Sequence, residues 1–91
     1  MKDVIILGGG AAGLGAALYS ARFSLDTICI AKEMGETGNI AHKVDNWIGE
    51  PGIGGMALMD KFIAHVKEYK VPLITDTVKE IKKIEGGFEV I

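Results

Sequence analysis

The residues whose types and spacing could do chemistry lie together near the start of the chain: Gly8, Gly9, Gly10, Ala11, Ala12 and Gly13. In a strand–loop–helix turn, Gly8 would allow the sharp turn, and Gly10 would leave room for a pyrophosphate against the backbone. Gly13 would let the helix pack closely on the strand. Because free amides and the positive end of the helix dipole bind phosphates, the motif predicts a dinucleotide site.

An acidic residue for the ribose hydroxyls is expected about twenty residues further on, at the end of the second strand. That strand ends near Ala31, which leaves Glu33 and Glu36 as candidates. Glu33 is preferred because it lies closer to the strand, and a merely solvated carboxylate is the alternative. His42 and His65 have no nucleophile or metal ligand near them in the sequence, so both are interpreted as surface residues.

The chain contains a single cysteine, Cys29, within the apolar segment 27–31. A buried thiol of this kind usually behaves as a small hydrophobic residue. One cysteine cannot form a disulfide, a C-x-x-C redox pair or a zinc site within the chain. No catalytic residue and no metal ligand is therefore predicted.

The elements that must position the glycine loop form a β-α-β unit. Residues 4–7 are a continuous apolar run, typical of a parallel strand buried on both faces. Residues 11–23 are rich in alanine and carry apolar side chains at three- and four-residue spacing, which predicts a helix. A second apolar strand follows at residues 27–31, and the crossover places the two strands parallel.

A long loop separates this unit from the second half of the chain. Residues 32–55 have neither a helical nor a strand period, and their apolar side chains favour an ordered, ligand-facing loop over a disordered excursion. Residues 56–69 predict an amphipathic helix, and residues 71–75 a third strand. Residues 77–91 predict an antiparallel hairpin around a Gly-Gly turn. The predicted fold class is α/β: a Rossmann-like dinucleotide-binding domain with a parallel sheet and a C-terminal antiparallel β-hairpin.

Length and charge limit the classes of function. A chain of 91 residues makes one small domain, or part of a larger one, with room for one nucleotide-sized crevice. The formal net charge of −2 argues against a nucleic-acid partner, which usually needs a basic face. The start of the chain has no signal-peptide layout, and its apolar stretches are too short to span a bilayer. A cytoplasmic location without a membrane partner is therefore expected.

Several segments resemble one family of flavoproteins. The FAD-binding start of thioredoxin reductase-like proteins is strongly similar to residues 3–22, DVIILGGGAAGLGAALYSAR. The family's Gly-Gly-Gln-Leu segment resembles residues 38–40, GNI, and its Val-Glu-Asn-Trp-Pro-Gly segment resembles residues 44–49, VDNWIG. Its Gly-Pro-x-Leu-Met helix start resembles residues 55–59, GMALM.

The resemblance implies that residues 1–91 are the N-terminal part of an FAD-binding domain, with the FAD pyrophosphate on the glycine loop. It places Asn39, beside Gly38, near the ribityl chain, and Asn46 near the flavin ring. An amide offers both a donor and an acceptor to the polar edge of a flavin, although Asn46 is alternatively a plain turn residue. The backbone around Val78 would meet the adenine.

The resemblance also implies an activity, in which NADPH reduces FAD and FAD reduces a disulfide. The NADPH domain with its C-x-x-C pair, and the returning segment that completes the FAD site, are absent from these residues. The chain alone is therefore expected to bind FAD weakly or not at all, without turnover, and its partners would be the rest of the flavoprotein or a homodimer partner.

Two other functions stay open. One is a stand-alone nucleotide-binding or interaction module without catalysis. The other is an NAD-binding half of a dehydrogenase, which the long loop and the terminal hairpin disfavour.

Overall fold

The computed structural model describes residues 1–91 and contains two separate sheets and two α-helices. In chain order the elements are β1 (Val4–Leu7), α1 (Ala11–Arg22), β2 (Thr27–Ala31), a 3-10 helix (Glu36–Ile40), α2 (Gly55–Glu68), β3 (Leu73–Thr75), β4 (Ile81–Ile84) and β5 (Gly87–Val90). Strands β1 to β3 form a parallel sheet, and β4 and β5 form an antiparallel hairpin. The predicted α/β class, with its parallel sheet and C-terminal hairpin, is confirmed.

The parallel sheet has the order β1-β2-β3, so that β2 is central and β1 lies at an edge. Val4 pairs with Thr27 in the first ladder, and Cys29 pairs with Leu73 in the second. The prediction that β1 is buried on both faces is wrong, because Ile5 is 38% exposed and Leu7 is 40% exposed. An apolar run specifies that a strand can be buried, but its position in the sheet depends on distant segments.

The core lies where both helices meet the central strand. Strand β2 alternates between buried and half-buried residues, and Thr27, Cys29 and Ala31 are the buried ones. Helices α1 and α2 contact each other and share one apolar cluster with this strand, made of Leu14, Ala17, Cys29, Val66 and Val71. The apolar faces of both helices, which the sequence period predicts, therefore pack against the same core, as amphipathic helices require.

The segment between β2 and α2 is an ordered loop, as predicted. It contains the 3-10 helix, and the Val44 amide donates to the Ile53 carbonyl at 2.7 Å to form an isolated bridge. The Trp47 ring packs edge-on against Phe62 of α2, with 4.9 Å between the ring centroids. The bridge closes the loop on itself, and the Trp47–Phe62 contact fixes it on α2.

The hairpin is largely exposed. Every residue of β4 is exposed, and the two-residue turn contains Gly86 at φ +82°. An apolar groove of about 440 Å³ separates the hairpin from β1 and the N-terminal residues. Neither α-helix combines the length and the apolar composition needed to cross a bilayer.

Candidate functional site

A crevice of about 530 Å³ opens where the three parallel strands end. Its walls are the end of β1 (Leu7 and Gly8), the end of β2 with the residues that follow it (30–33, 36 and 37), and residues 76–78 after β3. In an open parallel sheet, ligands bind at this carboxyl edge, beside the first strand–helix turn. The topology therefore places Gly8 at the start of the glycine loop, the candidate acids and Val78 around one cavity.

The glycine loop has the backbone that a pyrophosphate site needs. Gly8 adopts φ +126°, a conformation that side chains other than glycine rarely take, and turns the chain from β1 toward α1. A Cβ on Gly13 would overlap the carbonyl of Gly8, so helix α1 packs against the loop as closely as the backbone allows. The Leu14 amide makes the first helical hydrogen bond, to the Gly10 carbonyl at 2.9 Å. The amides of residues 10–13 make no such bond and remain available to an anion.

A carboxylate already lies on this loop. Oε1 of Glu36 accepts a hydrogen bond from the Gly9 amide at 2.7 Å, and Oε2 lies 3.4 Å from the point where a Cβ on Gly10 would stand. Helix α1 has no acidic residue in its first turn and no side-chain cap. The Glu36 carboxylate therefore accepts from one of the loop amides that the motif offers to an anion.

Known proteins share this architecture. A family model described as an FAD binding domain matches residues 3–44, which contain β1, the glycine loop and β2. The thioredoxin reductase of Listeria monocytogenes is 38% identical over 81 residues, covering 87% of this chain and 25% of that protein. The crystal structure of T. acidophilum thioredoxin reductase is 35% identical, with a TM-score of 0.93 over 99% of this chain and 30% of that one. The chain is thioredoxin reductase-like. Its cofactor is FAD.

The likeness extends over the fold as a whole. The Lactococcus lactis thioredoxin reductase structure superimposes with a TM-score of 0.94 over 100% of this chain, at 27% identity. This chain covers 30% of that structure, so it spans between a quarter and a third of the length of these relatives. The resemblance stated from the loop motifs, and FAD as cofactor, are thereby confirmed.

Residues expected to contact the FAD ribose occupy two different places in this thioredoxin reductase-like chain. Glu33 lines the crevice, and its Oε1 accepts a hydrogen bond from Asn39 Nδ2 at 3.3 Å. Glu36, the less favoured candidate, reaches the glycine loop instead. The same Asn39 amide nitrogen donates to the Met34 carbonyl at 2.9 Å, so this side chain braces residues 33–39.

The residues expected near the flavin ring and the adenine are spread over three locations. Gly38 packs against Met59 of α2, where a Cβ would overlap the thioether sulfur. Asn46 is exposed and does not line the crevice, whereas Val78 is half-buried in its wall. Of the predicted site residues, Gly8, Glu33 and Val78 thus line the crevice, whereas the rest of the glycine loop, Gly38, Asn39 and Asn46 lie outside its wall.

Sequence reasoning missed two further crevice residues, Lys32 and Asp76. Asp76 directly follows β3, and its amide donates to the Ala31 carbonyl at 2.9 Å, which holds it beside the end of β2. Its Oδ1 accepts from the Thr77 amide at 2.7 Å. The signal was available, because polar residues that follow parallel strands gather at the ligand-binding edge of a sheet.

Proposed function

We propose that this chain holds FAD for an oxidoreductase in which NADPH reduces FAD and FAD reduces a disulfide. The main observation behind this proposal is the crevice at the carboxyl edge of the sheet. Gly8 at the start of the glycine loop lines it, and the next amide, of Gly9, donates to a carboxylate. Relatives named thioredoxin reductase support the reaction class. The chain's part in it is to bind and orient the cofactor.

In this proposal each part of the cofactor contacts a different group of residues. The amides from Gly9 to Gly13 bind the pyrophosphate, helped by the dipole of α1. Glu33, at the mouth of the crevice, accepts hydrogen bonds from the adenosine ribose. The backbone of Val78 borders the adenine. Asn39 and Asn46 serve the ribityl and flavin end, beyond the crevice.

The redox chemistry itself comes from FAD when it is bound. A hydride donor and an acceptor must then be placed against the flavin, and the single buried cysteine of the chain, Cys29, is not available as a redox pair. The activity therefore needs further polypeptide that carries the NADPH and disulfide sites. Alone, the chain binds FAD weakly and does not turn over, because the open crevice covers only part of so large a cofactor.

The surface that meets this further polypeptide is, in the same proposal, the groove between β1 and the hairpin. It is lined largely by apolar side chains, among them Ile5, Ile84 and Phe88, and β1 offers an unpaired strand edge. The chain spans only 25% of the Listeria relative, so most of such a flavoprotein lies outside these residues. A strand of that polypeptide pairing on β1 would bury the groove; a second copy of this chain is the other occupant to test.

Titration of the purified chain with FAD, followed by flavin fluorescence, tests the proposal. Replacing Gly10 with valine puts a side chain at the point where the pyrophosphate approaches, while φ −80° at this position suits any residue. We expect G10V to raise the Kd for FAD by about tenfold or more, because the phosphates lose the backbone contacts. Gly15 lies in α1 with nothing within 4 Å of its Cβ position, so G15V is the matched control and should bind as the parent does.

The outcomes separate the candidate functions. No flavin signal from the parent chain at any concentration would contradict weak FAD binding by the chain alone. Equal binding by the parent chain and G10V would move the site away from the glycine loop. Oxidation of NADPH by the chain alone would contradict the need for further polypeptide, and tighter binding of NAD than of FAD would favour the dehydrogenase half.

A further inference from the structure

Two hydrogen bonds clip the start of the 3-10 helix onto the glycine loop at Gly9. The Gly9 amide donates to Oε1 of Glu36, and the Gly9 carbonyl accepts from the Gly35 amide, both at 2.7 Å. Gly9 is buried, and a Cβ there would stand 2.7 Å from the Met34 sulfur and 2.9 Å from the Ala31 Cβ. The loop and the segment after β2 therefore touch without space for a side chain between them.

The carboxylate held by this clip lies in the space that the pyrophosphate requires. Gly10 is the loop residue whose missing Cβ admits the cofactor phosphates, and Oε2 of Glu36 lies 3.4 Å from that Cβ position. Two anions cannot share the same amides at this distance, since like charges in a partly dry site repel strongly. Glu36 must move before the phosphates can bind.

Nothing else in the chain holds the Glu36 carboxylate in place. The two ion pairs of the structure join Lys2 to Asp26 and Lys61 to Glu50, so Glu36 has no cationic partner. Its backbone is in the left-handed region, with φ +41°, directly after Gly35 at φ +95°. A non-glycine residue in that region is held there by its surroundings, and here the surroundings are the Gly9 amide and the dipole of α1.

We propose that Glu36 is an internal anion that occupies the pyrophosphate position of the glycine loop, keeps the loop in its binding conformation, and lowers the affinity for FAD by competing with it. This rests on the proposed function of the loop. The segment that bears Glu36 also lines the crevice through Glu36 and Thr37, so its displacement and cofactor entry are one event. Glu36 thereby determines affinity without taking part in the reaction.

The test compares Glu36→Gln with Glu33→Gln. Both variants remove one negative charge from the same crevice, but only Glu36 touches the glycine loop, whereas Glu33 is bonded to Asn39. Fluorescence titration should give E36Q a Kd for FAD about fivefold lower than that of the parent chain. The reason is that the neutral amide introduced at this position binds the loop more weakly than the carboxylate and is displaced more easily. E33Q should bind no tighter than the parent. The Tm of E36Q without FAD should be about 2–6 °C lower, since the helix terminus loses its charge interaction.

Three results would overturn the inference. Weaker FAD binding by E36Q would mean that Glu36 contacts the cofactor, and unchanged binding would mean that it neither contacts nor competes with FAD. Equally tighter binding by both variants would mean that the effect comes from net charge alone. If neither the parent chain nor E36Q binds FAD, the proposed function fails, and the Gly9 amide resonance then decides the inference. That resonance should shift in E36Q and not in E33Q, and it should shift in the parent chain on addition of inorganic pyrophosphate. An unchanged Gly9 resonance in E36Q would refute the contact itself.

Discussion

At the scale of single residues, Cys29 connects the hydrophobic core to the glycine loop. Its side chain is fully buried in the cluster between the helices and β2, and its Sγ donates to the Gly8 carbonyl at 3.3 Å. Burial raises the pKa of this thiol above its ordinary value of 9.0, and the negative charge of Glu36 raises it further. The thiol is therefore a protonated packing group that supports the turn of the glycine loop, as predicted for a buried cysteine.

This raised pKa predicts a dependence of stability on pH. The unfolded thiol ionises near pH 9.0 while the folded one keeps its proton. Its contribution to the free energy of unfolding is therefore complete below that pH and decreases as the pH rises through the folded pKa. Urea titrations of the parent chain and of C29A from pH 7 to 10.5 should show a steeper loss of stability in the parent. Identical slopes, or rapid alkylation of the native thiol by iodoacetamide at pH 8, would contradict the assignment.

At the scale of elements, the packing of α1 on the start of the sheet controls the site. The helix begins at Ala11, within the glycine motif, and its two glycines have opposite surroundings. A Cβ on Gly13 would overlap the Gly8 carbonyl, whereas Gly15 faces open space. One position thus keeps helix and loop together, and the other only adds flexibility to the helix.

These surroundings predict opposite changes in stability for the same substitution. Gly13→Ala should lower the free energy of unfolding by about 1–3 kcal/mol, since helix and loop must separate to admit a methyl group. Gly15→Ala should raise it by about 0.5–1 kcal/mol, because alanine loses less backbone entropy in a helix. Chemical denaturation followed by circular dichroism measures both. A neutral G13A would mean that the loop tolerates a wider gap than the structure shows.

At the scale of the whole molecule, the chain is extended and thinly packed. Its principal extents are 47 × 27 × 17 Å, and only 12 of its 91 residues are buried. Such a small core gives limited stability, while the edge of β1 and the hairpin expose apolar groups to water. Phe88 in the groove is 65% exposed.

This exposed groove predicts self-association of the isolated chain. Sedimentation velocity should show the mean mass rising with concentration, because an unpaired apolar strand edge is a template for intermolecular pairing. Phe88→Lys should shift the chain toward monomer by placing a charge in the groove. Ile48→Lys is the control, since Ile48 is fully exposed but lies outside the groove, and it should leave the association unchanged. A parent chain that stays monomeric at all concentrations would argue against the groove as a docking surface.

The sequence by itself determined the local features. The apolar run, the alanine-rich helix and the glycine loop are consecutive in the chain, and their spacing predicted β1, α1, β2 and the loop between them. The second helix and the hairpin also followed from period and turn residues, with end positions that differ by one or two residues at α2 and β3. Such features depend on side-chain periodicity and on contacts between near neighbours, which the sequence contains directly.

Only the tertiary structure decided which distant groups meet. Which of Glu33 and Glu36 reaches the glycine loop could not be predicted from distance along the chain, because Gly9 and Glu36 are separated by 27 residues. The left-handed turn at Gly35 and Glu36 brings that carboxylate back over the loop. Likewise, the use of Asn39 as an internal brace and the edge position of β1 depend on how segments fold onto each other. The sequence thus specified a loop able to bind an anion, and the packing of residues 34–36 against Gly9 decided which anion of the chain lies there.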